Sequence, residues 1–476
     1  MHASPLLSRV VALLAAAGLS ACAVGPDYVR PAAPSPAQYK EQDGWRPIAP
    51  QLAASDMAWW AIYGDPVLDG LERQVEVSNQ SLKAAESNYR QALALVQESR
   101  AGYSPTLSLS AADQRSRAAS GSPGNRASVG LDASWAPDLW GRVRRAVESS
   151  TAAAQASAAD LAGARLSLQA TLATDYFGLR VDDELARLYD EAVAGYQKTL
   201  EITRNQNAAG TANEADVITA ETQLEGAQAQ RVGVGVQRAQ LEHAIAVLVG
   251  KTPDQLSIAA RPLVRSVPAQ PPGLPSTLLE RRPDIAAAER GAAAASAQIG
   301  VAVAAYYPDV TLSASAGVAG AALGGLVKAS NAVWALGPQL AMTLLDGGLR
   351  RAQVTAARAS YDAAVANYRQ TVLAAFAQVE DQLAALRILE GQAEIQQRAL
   401  ASARRAVEVT VNQYQAGTVA YTAVVTAQAT VLADEQNLLT NLGSRLDASA
   451  SLAAALGGGW QDGLLPTEAA VQQEAR

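Results

Sequence analysis

Two short stretches decide how this chain is read: Tyr103-Ser-Pro-Thr-Leu-Ser-Leu-Ser110 and Tyr307-Pro-Asp-Val-Thr-Leu-Ser313. Each opens a segment in which apolar and polar residues alternate, the period of a strand with two unlike faces. Leu107, Leu109 and Ala111 alternate with Thr106, Ser108 and Ser110; Val310, Leu312, Ala314, Ala316 and Val318 alternate with Thr311, Ser313, Ser315 and Gly317. A second alternating segment follows each. Val129, Leu131, Ala133 and Trp135 interleave with Ser128, Gly130, Asp132 and Ser134. Trp334, Leu336, Leu340, Met342 and Leu344 interleave with Ala335, Gly337, Gln339, Ala341 and Thr343. Strands are therefore expected near 105–113, 127–136, 309–318 and 333–344. Each is about ten residues long, the length a tilted strand needs to cross bilayer hydrocarbon. Tyr103, Tyr306 and Tyr307 stand where the leading strands begin, the place of an interfacial aromatic girdle. Half-buried hairpins in a soluble sheet share this periodicity; recurrence at matching positions favours the membrane reading.

The doubling extends outward. Asn205-Gln-Asn-Ala-Ala-Gly-Thr211 returns as Asn412-Gln-Tyr-Gln-Ala-Gly-Thr418, a repeat of roughly 200 residues. No Pro interrupts the chain from Trp140 to Gly210 or from Gly347 to Gly417, and a helix of ~70 residues would reach ~105 Å. In the second run Val354, Tyr361, Val365, Tyr368, Val372, Phe376, Val379, Leu383 and Leu386 share one face. Gly210 and Gly417 are expected to end these helices, and return helices run to Gly250 and Gly457. An unbroken helix is expected from Asp65-Pro66 to Ala101. With the return helix it sums to ~115 Å, so the two could stack end to end beside the long one. The layout is a leader over 1–21, an extended segment over 22–64 and a first repeat over 65–260. A Pro-rich linker over 261–277, a second repeat over 278–460 and a polar tail over 461–476, frayed from Glu468, complete it.

Composition excludes several functions. The chain has 476 residues and a formal net charge of −7, with no concentrated Lys/Arg run, so nucleic acid is not an expected partner. One Cys forbids an intrachain disulfide, and two His with three Met argue against a soft-metal site. No cofactor is expected. No G-x-S-x-G, Walker A or H-E-x-x-H pattern occurs. His243 reads as an ordinary helix residue and Asp182-Asp183 as a solvated helix face, so no enzyme activity is expected. Arg9 precedes the apolar run Val10–Leu19, too short to span as a helix and followed by small residues, which is an export signal. In Leu19-Ser-Ala-Cys22 the only cysteine falls where bacterial lipoproteins are acylated. A plain small-residue cleavage site is the other reading. Ala23, rather than Asp, leans toward the outer membrane. With no later stretch long and apolar enough for a transmembrane helix, any crossing must use strands. Four strands cannot close a barrel, so the chain must oligomerise if they span; three copies give twelve, an allowed even number.

Five stretches carry a family resemblance: Cys22-Ala-Val-Gly-Pro-Asp-Tyr28, Trp59-Trp60 with Asp65-Pro66, Leu278-Leu-Glu-Arg-Arg-Pro-Asp-Ile285, and the two Ala-Gly-Thr turns. The chain resembles the TolC-like, NodT-type outer-membrane efflux lipoproteins of tripartite systems. The resemblance implies an α plus transmembrane β-barrel fold, a homotrimer with a twelve-stranded barrel and a long periplasmic helical tunnel. It also implies contact with outer-membrane lipid, a covalent lipid on Cys22, docking to a periplasmic adaptor protein and an inner-membrane efflux pump, and passage of small molecules such as drugs. The two Gly turns would form an iris at the periplasmic tip. Asp216 matches a frequently acidic position there, although Asn213-Glu-Ala-Asp216 also reads as a capping box; Tyr414 matches a family Tyr. Relatives often carry Arg, Asp, Asp and Arg where this chain has Val419, Ala423, Thr426 and Ala429, so the constriction is expected to rest on packing more than charge. A protein-secretion duct and a non-conducting coiled-coil lipoprotein are the alternatives.

Overall fold

The computed structural model describes residues 24–41, 58–117, 119, 122–268 and 277–475; the leader, Cys22 and residues 269–276 of the linker lie outside them. The first repeat runs α1 (Pro66–Ser78), α2 (Gln80–Ala101), β1 (Thr106–Ser116), β2 (Gly124–Trp135), α3 (Arg142–Ala208) and α4 (Glu214–Leu248). The second runs α5 (Leu278–Arg281), α6 (Pro283–Ala304), β3 (Asp309–Gly320), β4 (Ala332–Ala341), α7 (Leu349–Gln415) and α8 (Tyr421–Ala455). A short α9 (Glu468–Glu474) follows. Three helix pairs match in length: α2 and α6 have 22 residues each, α3 and α7 67, α4 and α8 35, while α1 and α5 differ at 13 and 4. At 1.5 Å per residue the longest pair extends ~100 Å.

The strands form one antiparallel sheet in the order β1-β2-β3-β4, leaving β1 and β4 as edges. Leu109, Leu131, Ala316 and Trp334 stand in one cross-strand row, and Leu107, Ala133, Ala314 and Leu336 in the next. One face is therefore apolar across these rows, while its side chains are largely exposed, Leu107 at 71% and Trp334 at 79%. Gly317 lies where an added Cβ would stand 2.4 Å from the Val129 carbonyl oxygen; only glycine permits that approach. The expected strand over 333–344 is shorter: β4 ends at Ala341, and Thr343 O instead accepts from Arg350 Nη2 (2.7 Å) as the chain turns into α7.

The helix expected over 65–101 is broken. Asp65 caps α1, accepting from Val67 N (2.8 Å), and Asn79 at ψ 126° ends it. The side chain of Asn79 then caps α2 by accepting from Leu82 N (2.9 Å) and donates to Leu248 O (2.8 Å) at the end of α4. One residue thus satisfies orphan groups on two helices. The break is what lets α2 and α4 stack end to end along α3. At this junction Gly250, at φ +72°, sits where a Cβ would be 2.4 Å from Ser78 O.

The second repeat makes the same junction with other chemistry. Arg282 is buried, donating through Nη1 to Ala455 O (2.9 Å) and through Nη2 to Gln378 Oε1 (2.9 Å), with Asp284 paired to it at 2.6 Å. Pro283 starts α6, and Leu278 and Ile285 fill the core beside Tyr368, Val372, Val379 and Leu383. Within Leu278–Ile285, Leu278, Arg282, Pro283, Asp284 and Ile285 thus each have a structural task there. The other core gathers Trp59, Trp60, Leu68, Val75, Leu172, Tyr176, Phe177, Ile245 and Leu446.

Residues 24–41 form an extended strap. Val24 N donates to Trp140 O (3.2 Å); Arg145 holds the Asp27 carboxylate (2.8 Å). Tyr28 Oη donates to Glu289 Oε1 (2.5 Å), Tyr39 is buried against Phe376, and Glu41 pairs with Arg387. Two further expectations are corrected. Asp182 and Asp183 are buried: Asp183 accepts from Arg180 (2.9 Å) and Arg238 (2.8 Å), whose guanidinium groups also hold Ala259 O and Ile258 O. The chain leaving α4 folds back over α3, and its backbone requires those partners. Nor is the tail frayed. Within α9, Val471 is fully buried beside Val96 and Ala154, and Arg100 Nη1 donates to Gln472 O (2.8 Å).

Candidate functional site

The structure places the expected site residues at opposite ends of the long helices. At the far end α3–α4 and α7–α8 each turn through Ala-Gly-Thr in the same way. Gly210 and Gly417 have φ +74° and +72°, and nothing lies within 4 Å of an added Cβ at either. Backbone conformation alone therefore calls for glycine. Thr211 N donates to Gln206 O (2.8 Å) and Thr418 N to Gln413 O (2.9 Å), closing a Schellman motif in each copy.

Side chains join the two turns. Tyr414 Oη donates to Gln206 Oε1 (3.2 Å), and the Tyr414 and Tyr421 rings lie 5.4 Å apart, tilted by 56°. Beneath them Leu200, Ala220, Tyr421 and Val424 form a buried cluster edged by Val217, Leu224 and Val411. Further along, Gln223 Nε2 donates to Gln428 Oε1 (3.3 Å). Burial and then the Asp216 carboxylate push the Tyr414 hydroxyl up; burial, then Tyr414, then Asp216 raise Tyr421 to about 12. Asp216 thus lies close to the aromatic pair. Its backbone N–H also completes the helix cap, donating to Asn213 Oδ1 (2.8 Å). Thr426 is not part of this contact: it is exposed, and its hydroxyl donates to Thr422 O (2.9 Å) on its own helix. The ion pair Arg204–Glu221 (2.6 Å) joins α3 to α4 within the first hairpin. Gln206, Tyr421, Gln223 and Gln428 were missed from the sequence. Gln206 holds the position equivalent to Gln413 in the repeated turn, but no pattern reveals that it meets Tyr414 across copies.

At the other end Tyr103, Tyr306 and Tyr307 collect where the strands meet the helices, 44%, 42% and 39% exposed. Two tryptophans complete the collar. Trp135 Nε1 donates to Tyr103 O (3.0 Å), Trp140 Nε1 to Pro308 O (2.8 Å), and Trp140 stacks on Tyr307 at 4.9 Å. The Arg350 guanidinium lies over the Tyr306 ring at 5.3 Å. Such half-exposed rings with tethered polar edges suit a membrane–water boundary. The strap begins here, with Val24 bonded to Trp140. Among the described residues no helix is long and apolar enough to cross a membrane, and no group of His, Cys, Asp and Glu is arranged to hold a metal ion.

A narrow sheet with an apolar exposed face is thus carried on paired helical hairpins ~100 Å long. Residues 71–251 and 274–458 match the family described as Outer membrane efflux protein, and the chain belongs to that family. It is 34% identical over 437 residues to the pyoverdine export outer membrane protein OpmQ of Pseudomonas aeruginosa, with 88% of this chain and 91% of OpmQ covered. It is 32% identical over 460 residues to the solvent efflux pump outer membrane protein SrpC of Pseudomonas putida, covering 93% and 96%. Among solved structures the outer-membrane channel OprN superposes with a TM-score of 0.86 at 29% identity, over 92% of this chain and 100% of that one. The fold is TolC-like with a duplicated unit, and the protein is one of the Gram-negative outer membrane, its helices extending into the periplasm.

Proposed function

We propose that three copies of this chain form the exit duct of a tripartite efflux system, which passively carries small molecules from the periplasm to the exterior. The observation that carries the reading is the four-stranded sheet itself. Its apolar face can be covered by lipid, but β1 and β4 would leave unpaired backbone groups in hydrocarbon unless other strands meet them. Joining β1 of one copy to β4 of the next satisfies both edges, and three copies close twelve strands. A periplasmic adaptor and an inner-membrane pump would supply selection and energy.

The tip contacts support an iris whose closed state rests on packing of Tyr414, Tyr421 and Val424 with few charges, the Gly210 and Gly417 turns forming its rim. The strap supports acylation of Cys22: Val24, two residues further along the chain, is bonded to Trp140 in the aromatic collar. Native mass measurement of the detergent-purified protein tests the assembly. A trimer is expected, each subunit heavier than the polypeptide from Cys22 by its acyl chains; a monomer or dimer would overturn the duct.

A further inference from the structure

The polar face of the sheet, which lines the duct if the reading above holds, is built from small residues. From one row to the next it presents Thr106, Ser134, Ser313 and Gly337, then Ser108, Asp132, Ser315 and Ala335, then Ser110, Gly130 and Gly317, with Val333 at the β4 edge. The four strands carry five charged residues: Asp113, Arg115, Arg126, Asp132 and Asp309. By parity Asp113 and Arg115 belong to the apolar face near the far end of β1. Arg126 and Asp309 share the polar face with Asp132, but each stands six residues along a strand from its row, ~20 Å at the strand rise. Asp132 is exposed, and Ser110 Oγ donates to its Oδ2 (2.9 Å), which fixes its side on the polar face.

We infer that Asp132 is a charge-selecting residue of the duct: three copies would ring the middle of the barrel with carboxylates and favour cationic over anionic solutes there. The physical reasons are local. No basic side chain stands on this face within a Debye length of Asp132, about 10 Å at 0.1 M salt, so the charge is not neutralised by Arg126. Gly130, Gly317 and the neighbouring serines leave nothing bulky to shield it. The carboxylate also lies inside a low-dielectric wall, which concentrates its field in the lumen. The inference rests on the duct reading and specifies which solutes that duct passes most readily.

A cysteine beside the carboxylate reads the field directly. Ser315 is directly opposite Asp132 across β2–β3, on the same face, whereas Ala316 points to the apolar face. Ser315→Cys and Ala316→Cys are made in the full-length protein, each with Asp132 and with Asp132→Asn, and reconstituted in vesicles. Rates of modification by a cationic and an anionic methanethiosulfonate of similar size are compared. A carboxylate ~6 Å away in water changes the local concentration of a monovalent ion about threefold either way, hence the rate ratio about tenfold. Taking the ratio cancels any change in the thiol's own ionisation. The expected result is a cation preference of about tenfold at Ser315→Cys that falls to the free-thiol ratio with Asp132→Asn, and no reaction at Ala316→Cys. An unchanged ratio at a reactive Ser315→Cys overturns the role of Asp132 and leaves the duct standing. A Ser315→Cys closed to both reagents means no aqueous lumen, and overturns the duct and this inference together.

Discussion

Replacing Glu72 by glutamine should stabilise the protein at neutral pH, and the gain should vanish in acid. Glu72 lies on α1 between Leu68, Leu71 and Val75, is fully buried, and neither carboxyl oxygen has a hydrogen-bond partner among the described residues. Nearby, Glu76 is occupied by Arg165 (3.8 Å) and Gln169 Nε2 (3.4 Å). Burial, and after it the charge of Glu76, pushes the Glu72 carboxyl from 4.5 up to about 9. The folded state therefore holds the proton more tightly than the unfolded chain. Relative to a side chain that does not titrate, stability is greatest below pH 4.5, falls as pH rises toward 9, and is level beyond. The slope approaches 1.36 kcal/mol per pH unit, so at pH 7 the glutamate costs about 3 kcal/mol. Glutamine has the same shape and no charge to suppress. Thermal unfolding of the detergent-solubilised protein, followed by far-ultraviolet circular dichroism at one scan rate from pH 4.5 to 9, reads the effect. Glu72→Gln should match the wild type at pH 4.5 and exceed it by a few degrees at pH 7 to 8. Parallel curves, with a difference independent of pH, would refute the reasoning and show that the folded protein solvates the ionised carboxylate.

Gly457→Ala places a Cβ 2.0 Å from the Arg281 carbonyl oxygen at φ +97°, whereas Gly210→Ala meets nothing at φ +74°. The first should cost several kcal/mol and lower the yield of folded protein, the second about 1 kcal/mol, by the same melts. Tyr414→Phe removes the hydroxyl that reaches Gln206 but keeps the ring against Tyr421. In planar bilayers it should raise the closed-state conductance severalfold, the bond being worth about 1 kcal/mol; conductance equal to wild type would mean this contact does not hold the tip shut.

Much of the fold was legible because its units are local and repeated. Alternation around Leu107, Leu131, Ala314 and Leu336 marks strands without knowledge of their partners, and Pro-free runs ending at Gly210 and Gly417 mark helices of matching length. The Asn79 break was not legible: Ser78-Asn79-Gln80 contains no Pro or Gly, and the helix ends there because Leu248 O, 169 residues away, needs a donor. Asp183 looked solvated for the same reason, as its partners Arg238 and the Arg261 N–H belong to chain that returns over α3. The tail was misread because Val471 finds Val96 and Ala154 only after the repeats have folded.

By itself, then, the sequence determined what short-range physics sets: strand and helix periods, the left-handed glycine turns and the duplication. Only the tertiary structure decided which polar groups far apart in the chain satisfy one another: Arg282 at Ala455, Tyr414 at Gln206, the strap at Trp140. Periodicity records which face of an element is apolar. The partner that completes a buried hydrogen bond is chosen by how the elements meet in space, and residues hundreds of positions apart carry no mark of that meeting.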